Sequence, residues 1–303
     1  MHLLLAKPFY DYFQEYLVYE TISILLFVLA MLFFLRLIIF ELVFRRNQLK
    51  LNLEHSKFIP YYQPIVDSRT NEVLGAEVLI RVRQPDGSLV HPHQFITEAE
   101  ESGLIIPITY QLIEKVLIDL TKLDWDSSRK FVSINVVPEL LVNDKLCNRI
   151  VALCSFYKVP TSLINLEITE RLKIPDLDRV KGPLNNFRKQ GINIKLDDVG
   201  TGYGGFRYIQ ELDIDSIKID KMFVDSICDP RIKCNVLDAI IAFIKTSGLE
   251  AIAEGVENVE QLEYLSQNGI YNIQGYIYAK PMAFVDFKYW FDKFVDKANF
   301  QNI

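Results

Sequence analysis

Seven short apolar stretches of the sequence each end in an acid, an amide or a lysine, the residue types that bind metal ions and move protons. These residues are Glu77, Asn135, Glu167, Asp197 with Asp198, Lys218 with Asp220, Glu254 and Gln274. One such residue could simply cap the next helix, but so many carboxylates in one place would repel one another without a counter-charge. Because an all-oxygen set without histidine or cysteine suits hard divalent ions, the pattern favours Mg²⁺ or Mn²⁺ over zinc. The adjacent Asp197 and Asp198 would allow one carboxylate to bridge two ions, the arrangement used for phosphodiester cleavage.

Short runs rich in isoleucine and valine alternate with longer amphipathic stretches, which is the pattern of strands and helices around a parallel sheet. The predicted strands are residues 61–66, 73–79, 131–136, 163–168, 192–196, 216–219, 251–252 and 270–273. The predicted helices include residues 106–120, 140–156, 177–190, 231–247 and 259–267. Eight strands with intervening helices predict an α/β fold, a TIM-like (β/α)8 barrel over residues 58–290. In such a barrel the carboxyl ends of the strands meet at the face that carries active sites, so the polar residues above are expected to converge.

The first fifty residues have a different composition. Residues 22–40 are apolar at 17 of 19 positions, the exceptions being Ser23 and Arg36, and this length spans a bilayer. A central arginine costs roughly 3 kcal/mol on insertion, but the fifteen Leu, Ile, Val and Phe residues contribute about 0.4 kcal/mol each. We therefore predict a transmembrane helix at residues 21–43. A signal peptide fits worse, because no basic segment precedes the run and no small-residue cleavage site follows it, and a buried core helix is the remaining alternative.

Charges on the two sides of the apolar run predict its orientation. Acidic residues precede the run and basic residues follow it, namely Asp11, Glu15 and Glu20 before it and Arg45, Arg46 and Lys50 after it. Since positive charge favours the cytoplasmic side, residues 1–20 should form a short extracytoplasmic segment and the remainder should be cytoplasmic. Residues 44–57 contain neither Pro nor Gly and predict a helical stalk. Residues 291–303 are expected to form a C-terminal tail.

Composition excludes several classes of protein. Half of the 303 residues are hydrophobic, and 13 glycines and 12 prolines are too few for a disordered or collagen-like chain. The net charge is −6 without a basic run, so binding to DNA or RNA duplexes is not expected. The four cysteines form no Cys-x-x-Cys pair, which favours reduced cytosolic thiols over a zinc site or disulfides. His91-Pro92-His93 follows a polar turn and is interpreted as a solvated loop rather than a pair of metal ligands.

The sequence resembles the EAL-domain cyclic di-GMP phosphodiesterases of bacteria over about residues 58–290. The matching motifs are Tyr62-Gln63-Pro64-Ile65, Glu77-Val78-Leu79 with Arg81, Ile134-Asn135, Leu166-Glu167-Ile168-Thr169-Glu170, Asp197-Asp198-Val199-Gly200-Thr201-Gly202-Tyr203, Ile217-Lys218-Ile219-Asp220, Ala253-Glu254-Gly255-Val256-Glu257 and Gln274-Gly275-Tyr276 before Pro281-Met282. Each motif alone is weak, but eight in this order and spacing are specific. The resemblance implies hydrolysis of cyclic di-GMP to linear pGpG, which lowers this second messenger and so regulates biofilm formation and motility. Together with the apolar run and its flanking charges, the resemblance predicts a single-pass protein of the bacterial inner membrane.

The resemblance assigns roles to individual residues. It implies a first metal ion bound by Glu77, Asn135, Glu167 and Asp197, and a second bound by Asp197, Asp198 and Glu254. Lys218 resembles the residue that positions or deprotonates the attacking water, with Glu254 as the rival base. Because surrounding carboxylates favour a charged lysine, we prefer Lys218 as an orienting donor.

Further residues are expected to contact the substrate or support the site. The implied substrate contacts are Gln63, Leu79, Arg81, Asp220 and Gln274. Glu170 matches the glutamate that anchors the loop after the paired aspartates, and the glycine-rich residues 199–205 are expected to make that loop flexible. Family members commonly dimerise, so a homodimer is expected here.

Three departures from the family pattern leave the metal ligands intact. Val78 stands where Ala is usual, Val199 stands where Phe is usual, and Gly204-Gly205 stand where small polar residues are common. Two other functions stay open at this point. One is a catalytically weak cyclic di-GMP receptor or protein-interaction module, and the other is a barrel hydrolase that acts on another phosphodiester.

Overall fold

The computed structural model of the protein describes residues 6–125, 130–200, 204–228 and 234–301, and the chain divides into two units, residues 1–51 and 52–303. Helix α1, Ala6–Glu54, contains the predicted span and most of the predicted stalk without a break. Its large apolar side chains between residues 22 and 40 are exposed, which argues against the alternative of a buried core helix. The helix is long and apolar enough to cross a membrane.

The second unit is built on a ten-stranded sheet, eight strands of which close into a barrel. The strands are β1 Phe58–Asp67, β2 Glu72–Arg83, β3 Leu89–Val90, β4 Phe131–Val136, β5 Ile164–Thr169, β6 Asn193–Asp197, β7 Ser216–Ile219, β8 Glu250–Ala253, β9 Asn272–Gln274 and β10 Met282–Ala283. The barrel order is β1-β2-β4-β5-β6-β7-β8-β9, and β1 pairs with both β2 and β9 to close it. Short antiparallel pairings attach β3 to β2 and β10 to β1.

Strand β1 departs from the all-parallel arrangement that alternating strands and helices predict. It runs antiparallel to β2 and β9, whereas β2 and β4 to β9 pair in parallel. Only residues 68–71 join β1 to β2, and a parallel crossover needs a dozen or more residues. Asn71 turns the chain with a φ of 54°. The other seven strands still end at one face, as the sequence predicts.

Helices cover the outside of the barrel. They are α2 Ile96–Glu101, α3 Ile105–Leu120, α4 Lys145–Tyr157, α5 Leu177–Lys189, α6 Gly205–Glu211, α7 Lys221–Asp225, α8 Asn235–Ser247, α9 Val259–Gln267 and α10 Phe284–Gln301. Helices α3, α4, α5, α8 and α9 correspond to predicted helices, although α4 begins later because residues 138–141 form a 3₁₀ turn. The predicted start of α8 at residue 231 lies outside the described residues.

Residues 291–301, predicted as a tail, continue helix α10 across the predicted barrel boundary. Aromatic side chains at helical spacing explain this continuation. The rings of Trp290 and Phe294 stack at 4.8 Å, and Phe287 lies 5.4 Å from Tyr62 of β1 and 6.1 Å from Trp125, all measured between ring centroids. Such contacts bury apolar area and favour ring packing. Helix α10 is therefore part of the folded second unit.

Among the described residues, the group of side chains that could hold a metal ion contains neither cysteine nor histidine. All four cysteines are free thiols, of which Cys147 and Cys154 are buried. His91 and His93 are exposed beside a 3₁₀ turn, Pro92–Gln94.

Candidate active site

Four carboxylates surround one lysine ammonium inside the barrel. The Nζ atom of Lys218 lies 2.8 Å from Glu167 Oε2, 3.1 Å from Glu77 Oε2 and 3.3 Å from Asp197 Oδ1, and it also forms an ion pair with Glu254 Oε1. These side chains come from β2, β5, β6, β7 and the residue that follows β8. Lys218 is 1% exposed, whereas Glu254 is 19% exposed and is the most open of the five. The predicted convergence of strand ends thus brings these five residues together.

Strand alternation explains why these polar side chains point into the barrel. Ile217 and Ile219 flank Lys218 and are fully buried, as are Leu166 and Ile168 on either side of Glu167. Successive side chains of a strand point to opposite faces. The aliphatic neighbours therefore pack outward against the helices, and the charged residues between them point inward.

Amide side chains hold Glu77 in place. Asn135 Nδ2 donates to Glu77 Oε1 at 2.9 Å, and Gln274 Nε2 donates to Glu77 Oε2 at 2.6 Å. Gln274 also donates to Gln63 Oε1 at 3.2 Å, and Gln63 Nε2 donates to the carbonyl oxygen of Ala279 at 3.2 Å. Two predicted site residues, Gln63 and Gln274, are therefore linked to Oε2 of Glu77, and a third, Asn135, binds Oε1 of the same carboxylate.

Burial raises the pKa of most carboxyl groups in the cluster. It raises the pKa of Glu167 to about 7 and also raises the pKa values of Asp197 and Glu254. Burial opposes ionisation of Glu77 too, but Lys218 and the amide donors outweigh it and lower the pKa of Glu77. For Lys218, burial favours the neutral amine, yet the four carboxylates outweigh burial and raise its pKa well above its ordinary value. Lys218 is therefore protonated at neutral pH.

The cluster fits a divalent cation bound by oxygen. Glu77, Glu167 and Asp197 each offer a carboxylate oxygen, and these three atoms lie within 4.8 Å of one another. Among the described residues, no hydrogen-bond donor reaches the buried Oε1 atom of Glu167, so this oxygen retains capacity for a ligand. One ammonium does not balance four carboxylates, and a hard divalent ion would supply the missing positive charge.

Asp198 extends the cluster beyond Asp197. It has a φ of 58°, a left-handed conformation that is uncommon outside glycine and is concentrated at functional sites. Its backbone N–H donates to Asp197 Oδ1 at 3.0 Å, and its Oδ2 accepts from Thr169 Oγ1 at 3.1 Å. Burial and a hydrogen bond with Asp220 raise the pKa of Asp198. Asp220, a predicted substrate contact, lies beside Asp198 and also caps helix α7 by accepting from the N–H of Met222 at 2.6 Å.

Glu170 contacts both ends of the loop that follows Asp198. Its Oε2 accepts from the N–H of Gly200 at 2.6 Å, and its Oε1 accepts from the N–H of Gly205 at 2.5 Å. The backbone N–H of Glu170 donates to the carbonyl of Asp197 at 3.1 Å. Gly200 has a φ of 92°, which favours glycine there. Residues 201–203 of the predicted flexible loop lie outside the described residues. Glu170 thus bonds the backbone on both sides of residues 201–203.

The sequence profile of the EAL domain matches residues 46–281. This chain belongs to the EAL domain family. An Escherichia coli K12 relative, probable cyclic di-GMP phosphodiesterase PdeB, is 34% identical over 279 residues, which cover 91% of this chain and 52% of PdeB. A second relative from the same strain, probable cyclic di-GMP phosphodiesterase PdeG, is 35% identical over 237 residues, which cover 77% of this chain and 46% of PdeG. The chain thus spans about half the length of these curated relatives.

The barrel of this EAL protein also matches solved structures. The EAL enzyme Bd1971 in its cAMP and cyclic-di-GMP bound form aligns with a TM-score of 0.77 and 30% identity, covering 83% of this chain and 69% of that chain. The likeness confirms the predicted EAL-type barrel. In this chain, the closed eight-stranded arrangement of that barrel brings the carboxylate cluster together.

A cavity of about 200 Å³ lies beside the carboxylates of this EAL domain. Leu79, Asn135 and Asp198 are among its lining residues. Arg81, in contrast, does not line the cavity. It is buried, donates to the carbonyl of Ile80 at 2.9 Å and lies over the ring of Tyr61 at 5.6 Å, and burial lowers its pKa.

Among the lining residues that the sequence did not predict are Thr169 and Arg171. Thr169 donates to Asp198, and Arg171 pairs with Glu100 at 2.7 Å between Nη2 and Oε1. Both follow Glu167 at the end of β5. Their position shortly after Glu167 could have identified them as site residues, because loops at this face of a barrel carry functional residues.

Proposed function

We propose that this EAL protein is a cyclic-guanylate-specific phosphodiesterase that hydrolyses cyclic di-GMP to linear pGpG with two Mg²⁺ or Mn²⁺ ions. The observation that carries the proposal is the cluster of four carboxylates around Lys218, with one oxygen of Glu167 left without a donor. The names of PdeB and PdeG and the cyclic-di-GMP bound form of Bd1971 support the substrate. The proposed cellular effect is a lower level of this messenger, with consequences for biofilm formation and motility.

The metal-binding part of the proposal assigns two overlapping sets of ligands. The first ion would be held by Glu77, Asn135, Glu167 and Asp197, and the second by Asp197, Asp198 and Glu254. Two ions bound there would lower the pKa of a water molecule and neutralise charge on the phosphate. The chain itself keeps the oxygens in position, because Asn135 and Gln274 fix Glu77 and Thr169 fixes Asp198.

Lys218 and Glu254 differ in the proton chemistry that they can perform. A protonated Lys218 donates hydrogen bonds and cannot accept a proton, so we assign it the orientation of the attacking water and the stabilisation of phosphate charge. Glu254 is the more exposed group and has a raised pKa. A carboxylate with these properties is the better general base.

The predicted substrate contacts divide into two groups by position. Leu79 lines the cavity beside Asp198, so we propose that it touches the nucleotide. Gln63 and Gln274 would act through Glu77. Arg81 packs over the ring of Tyr61 away from the cavity lining, so we propose that it supports this side of the barrel rather than contacting the nucleotide. Asp220 would act through Asp198.

Magnesium-dependent conversion of cyclic di-GMP tests the proposal. The purified full-length chain should form pGpG in the presence of Mg²⁺ and lose this activity in EDTA, as measured by chromatography of the nucleotides. Cyclic di-AMP and a linear dinucleotide serve as controls for substrate class. Tight binding of cyclic di-GMP without turnover would identify a receptor instead, and preferred turnover of another phosphodiester would identify a different hydrolase.

Metal affinity should depend on pH. Because burial raises the pKa of Glu167 to about 7, its proton competes with a metal ion at acidic pH, and the deprotonated form binds above that value. For one such proton, Mn²⁺ affinity is expected to fall about tenfold from pH 8 to pH 6. Titration of Mn²⁺ by electron paramagnetic resonance checks this. Equal affinity at the two pH values would contradict the assignment of Glu167 as a ligand.

Glu170→Ala should lower kcat about tenfold or more, since both ends of the loop after Asp198 lose a charge-assisted hydrogen bond. Glu170→Gln keeps one acceptor oxygen and should recover part of the rate.

We further propose that a homodimer orders this loop, so that specific activity rises with protein concentration. Sedimentation alongside turnover tests both ideas. Full activity of Glu170→Ala would contradict the anchoring role of Glu170. Specific activity that stays constant across the monomer-to-dimer transition would contradict the coupling between dimerisation and loop order.

We propose that α1 anchors the protein in the bacterial inner membrane with the barrel in the cytoplasm. The full chain should sediment with membranes and require detergent for release, whereas residues 52–303 alone should remain in the supernatant. A C-terminal green fluorescent protein fusion should be fluorescent and a C-terminal alkaline phosphatase fusion inactive, because Arg45, Arg46 and Lys50 favour the cytoplasmic side. The reverse pattern of reporters would overturn the orientation, and a fully soluble chain would overturn the anchor.

A further inference from the structure

A second and larger cavity, of about 630 Å³, lies at the opposite end of the barrel from the carboxylate cluster. It is formed where the parallel strands begin, as the residues at the starts of β4, β5, β7 and β8 show. Among its lining residues are Phe131, Asn165, Lys195, Ser216, Glu250 and Tyr271. Lys195 pairs in register with Glu167 on β5 and Ser216 on β7. None of the predicted site residues lines this cavity.

Buried polar groups without partners line the inner part of this cavity. Lys195 is 3% exposed, and its Nζ atom has no hydrogen-bond partner within the described ranges. The ammonium lies 3.5 Å from the centroid of the Phe131 ring. Asn165 is 2% exposed, and no donor in the same described ranges reaches its Oδ1. Buried polar groups in proteins are nearly always hydrogen-bonded, so an unpartnered donor and an unpartnered acceptor in one cavity point to a ligand or solvent.

Most other charged residues of the cavity already have partners. Asp215 accepts from the N–H of Ile194 at 2.7 Å and pairs with Arg188 at 3.6 Å. Arg69 pairs with Asp67 at 2.6 Å and lies over the Tyr271 ring at 4.3 Å, and Lys130 pairs with Glu72 at 2.7 Å. These pairs balance their own charges. Two charged groups of the cavity remain, the exposed carboxylate of Glu250 and the buried amine of Lys195, whose pKa burial lowers to about 7 while nearby carboxylates, Glu250 among them, favour its charged form.

We propose that this cavity is a ligand site for a small aromatic acid, a molecule with one carboxylate or phosphate group, a planar ring and a hydrogen-bond donor. The acid group pairs with Lys195, the ring packs near Phe131 and Tyr271, and the donor reaches Asn165 Oδ1 or Glu250. Ligand cavities commonly measure roughly 300 to 1,000 Å³, and this cavity lies within that range. The site is independent of the proposed phosphodiesterase activity.

Calorimetric titration of the detergent-solubilised full chain tests the proposal. The probes are 4-hydroxybenzoate, which carries a carboxylate, and AMP, which carries a phosphate. The titrations are done in EDTA, which keeps divalent ions out of the carboxylate cluster. Without metal ions the cluster repels anions, so neither probe should bind there. We expect saturable binding of at least one probe, and the two arms show which acid group the cavity prefers.

Matched variants locate the binding. Lys195→Met retains the length of the side chain without its charge and should weaken binding at least about tenfold. Ser216→Leu fills the cavity while keeping Lys195, and it should weaken binding as well. Lys130→Met, which removes a paired lysine of the same cavity, and Glu77→Gln, in the catalytic cluster, should each change the affinity less than about threefold. Circular dichroism confirms that each variant is folded.

Three outcomes would contradict the proposed site. One is the absence of saturable binding for both probes by the folded wild-type chain. Another is binding whose affinity is unchanged in both Lys195→Met and Ser216→Leu. Loss of binding in Glu77→Gln but not in Lys195→Met would place the ligand in the catalytic cluster and would also contradict the proposal.

Discussion

Replacing Glu77 with glutamine or Asp197 with asparagine should lower kcat for cyclic di-GMP at least about a hundredfold, which corresponds to about 2.7 kcal/mol of transition-state stabilisation. Both substitutions preserve side-chain volume and remove a carboxylate that lies within 3.3 Å of Lys218. Asp197 is proposed to serve both metal ions, so its loss should have the larger effect. Steady-state turnover at saturating Mg²⁺ measures kcat for each variant.

The matched control for Glu77→Gln is Glu72→Gln. Glu72 lies on the same strand, β2, but at its other end, where it pairs with Lys130. Glu72→Gln should keep nearly the full kcat, because Glu72 pairs with Lys130 at the end of the barrel away from the carboxylate cluster. If Glu77→Gln or Asp197→Asn retained more than about a tenth of the wild-type rate, a difference of about 1.4 kcal/mol or less, the ligand assignment would be wrong.

Lys218→Met should separate metal binding from catalysis. The Lys218 ammonium forms ion pairs with all four carboxylates. Because Lys218→Met removes this competing positive charge, the affinity of the carboxylates for Mn²⁺ should be maintained or increased. Turnover should nevertheless fall at least about a hundredfold, because the donor that orients water and stabilises phosphate charge is lost. Mn²⁺ titration and steady-state turnover on the same preparation measure the two effects.

The control for this experiment is Lys221→Met, three residues further along the chain. Lys221 is partly exposed and pairs with Asp225 and Glu257 at 2.9 and 3.0 Å, outside the cluster, so neither metal affinity nor kcat should change appreciably. Lys218→Arg keeps the positive charge but alters its position. We expect this variant to fold like the wild-type chain but to regain little of the turnover that Lys218→Met loses. Near-normal turnover by Lys218→Met with bound metal would exclude a role for Lys218 in the reaction.

The centre of the candidate site was predictable because its residues lie within barrel strands or directly after them. Glu77, Glu167, Asp197 and Lys218 each stand within or at the end of a run of aliphatic residues, and a parallel barrel turns such positions toward a common interior. The side-chain spacing of a strand is therefore sufficient to predict their convergence. It does not predict which oxygen each ammonium hydrogen contacts, since that depends on rotamers and on the closure of the barrel.

The sequence pattern did not determine the direction of β1 in the sheet. The run at residues 58–67 reads as a strand in either direction, and only the short connection at residues 68–71 indicates that it pairs antiparallel with β2. Helix α10 was missed for a related reason. Its aromatic residues acquire their partners, such as Tyr62 and Trp125, from distant parts of the chain.

Contacts between sequence-distant residues also account for the unpredicted members of the site. Arg171 lines the cavity beside Asp198 and pairs with Glu100, 71 residues away. Lys195 stands two residues before Asp197 on β6, so alternation turns both side chains inward, but they serve opposite ends of the barrel. Sequence spacing identifies such a residue as inward-facing and leaves its partners undefined.

Anomalous X-ray diffraction from crystals of the protein soaked with Mn²⁺ would test most directly whether the carboxylate cluster is a two-metal centre. We expect two anomalous peaks, one among Glu77, Asn135, Glu167 and Asp197 and the other among Asp197, Asp198 and Glu254. Both peaks should lose occupancy in Asp197→Asn crystals. Lys218 still bound to all four carboxylates in saturating Mn²⁺, with no anomalous peak within the cluster, would contradict the account.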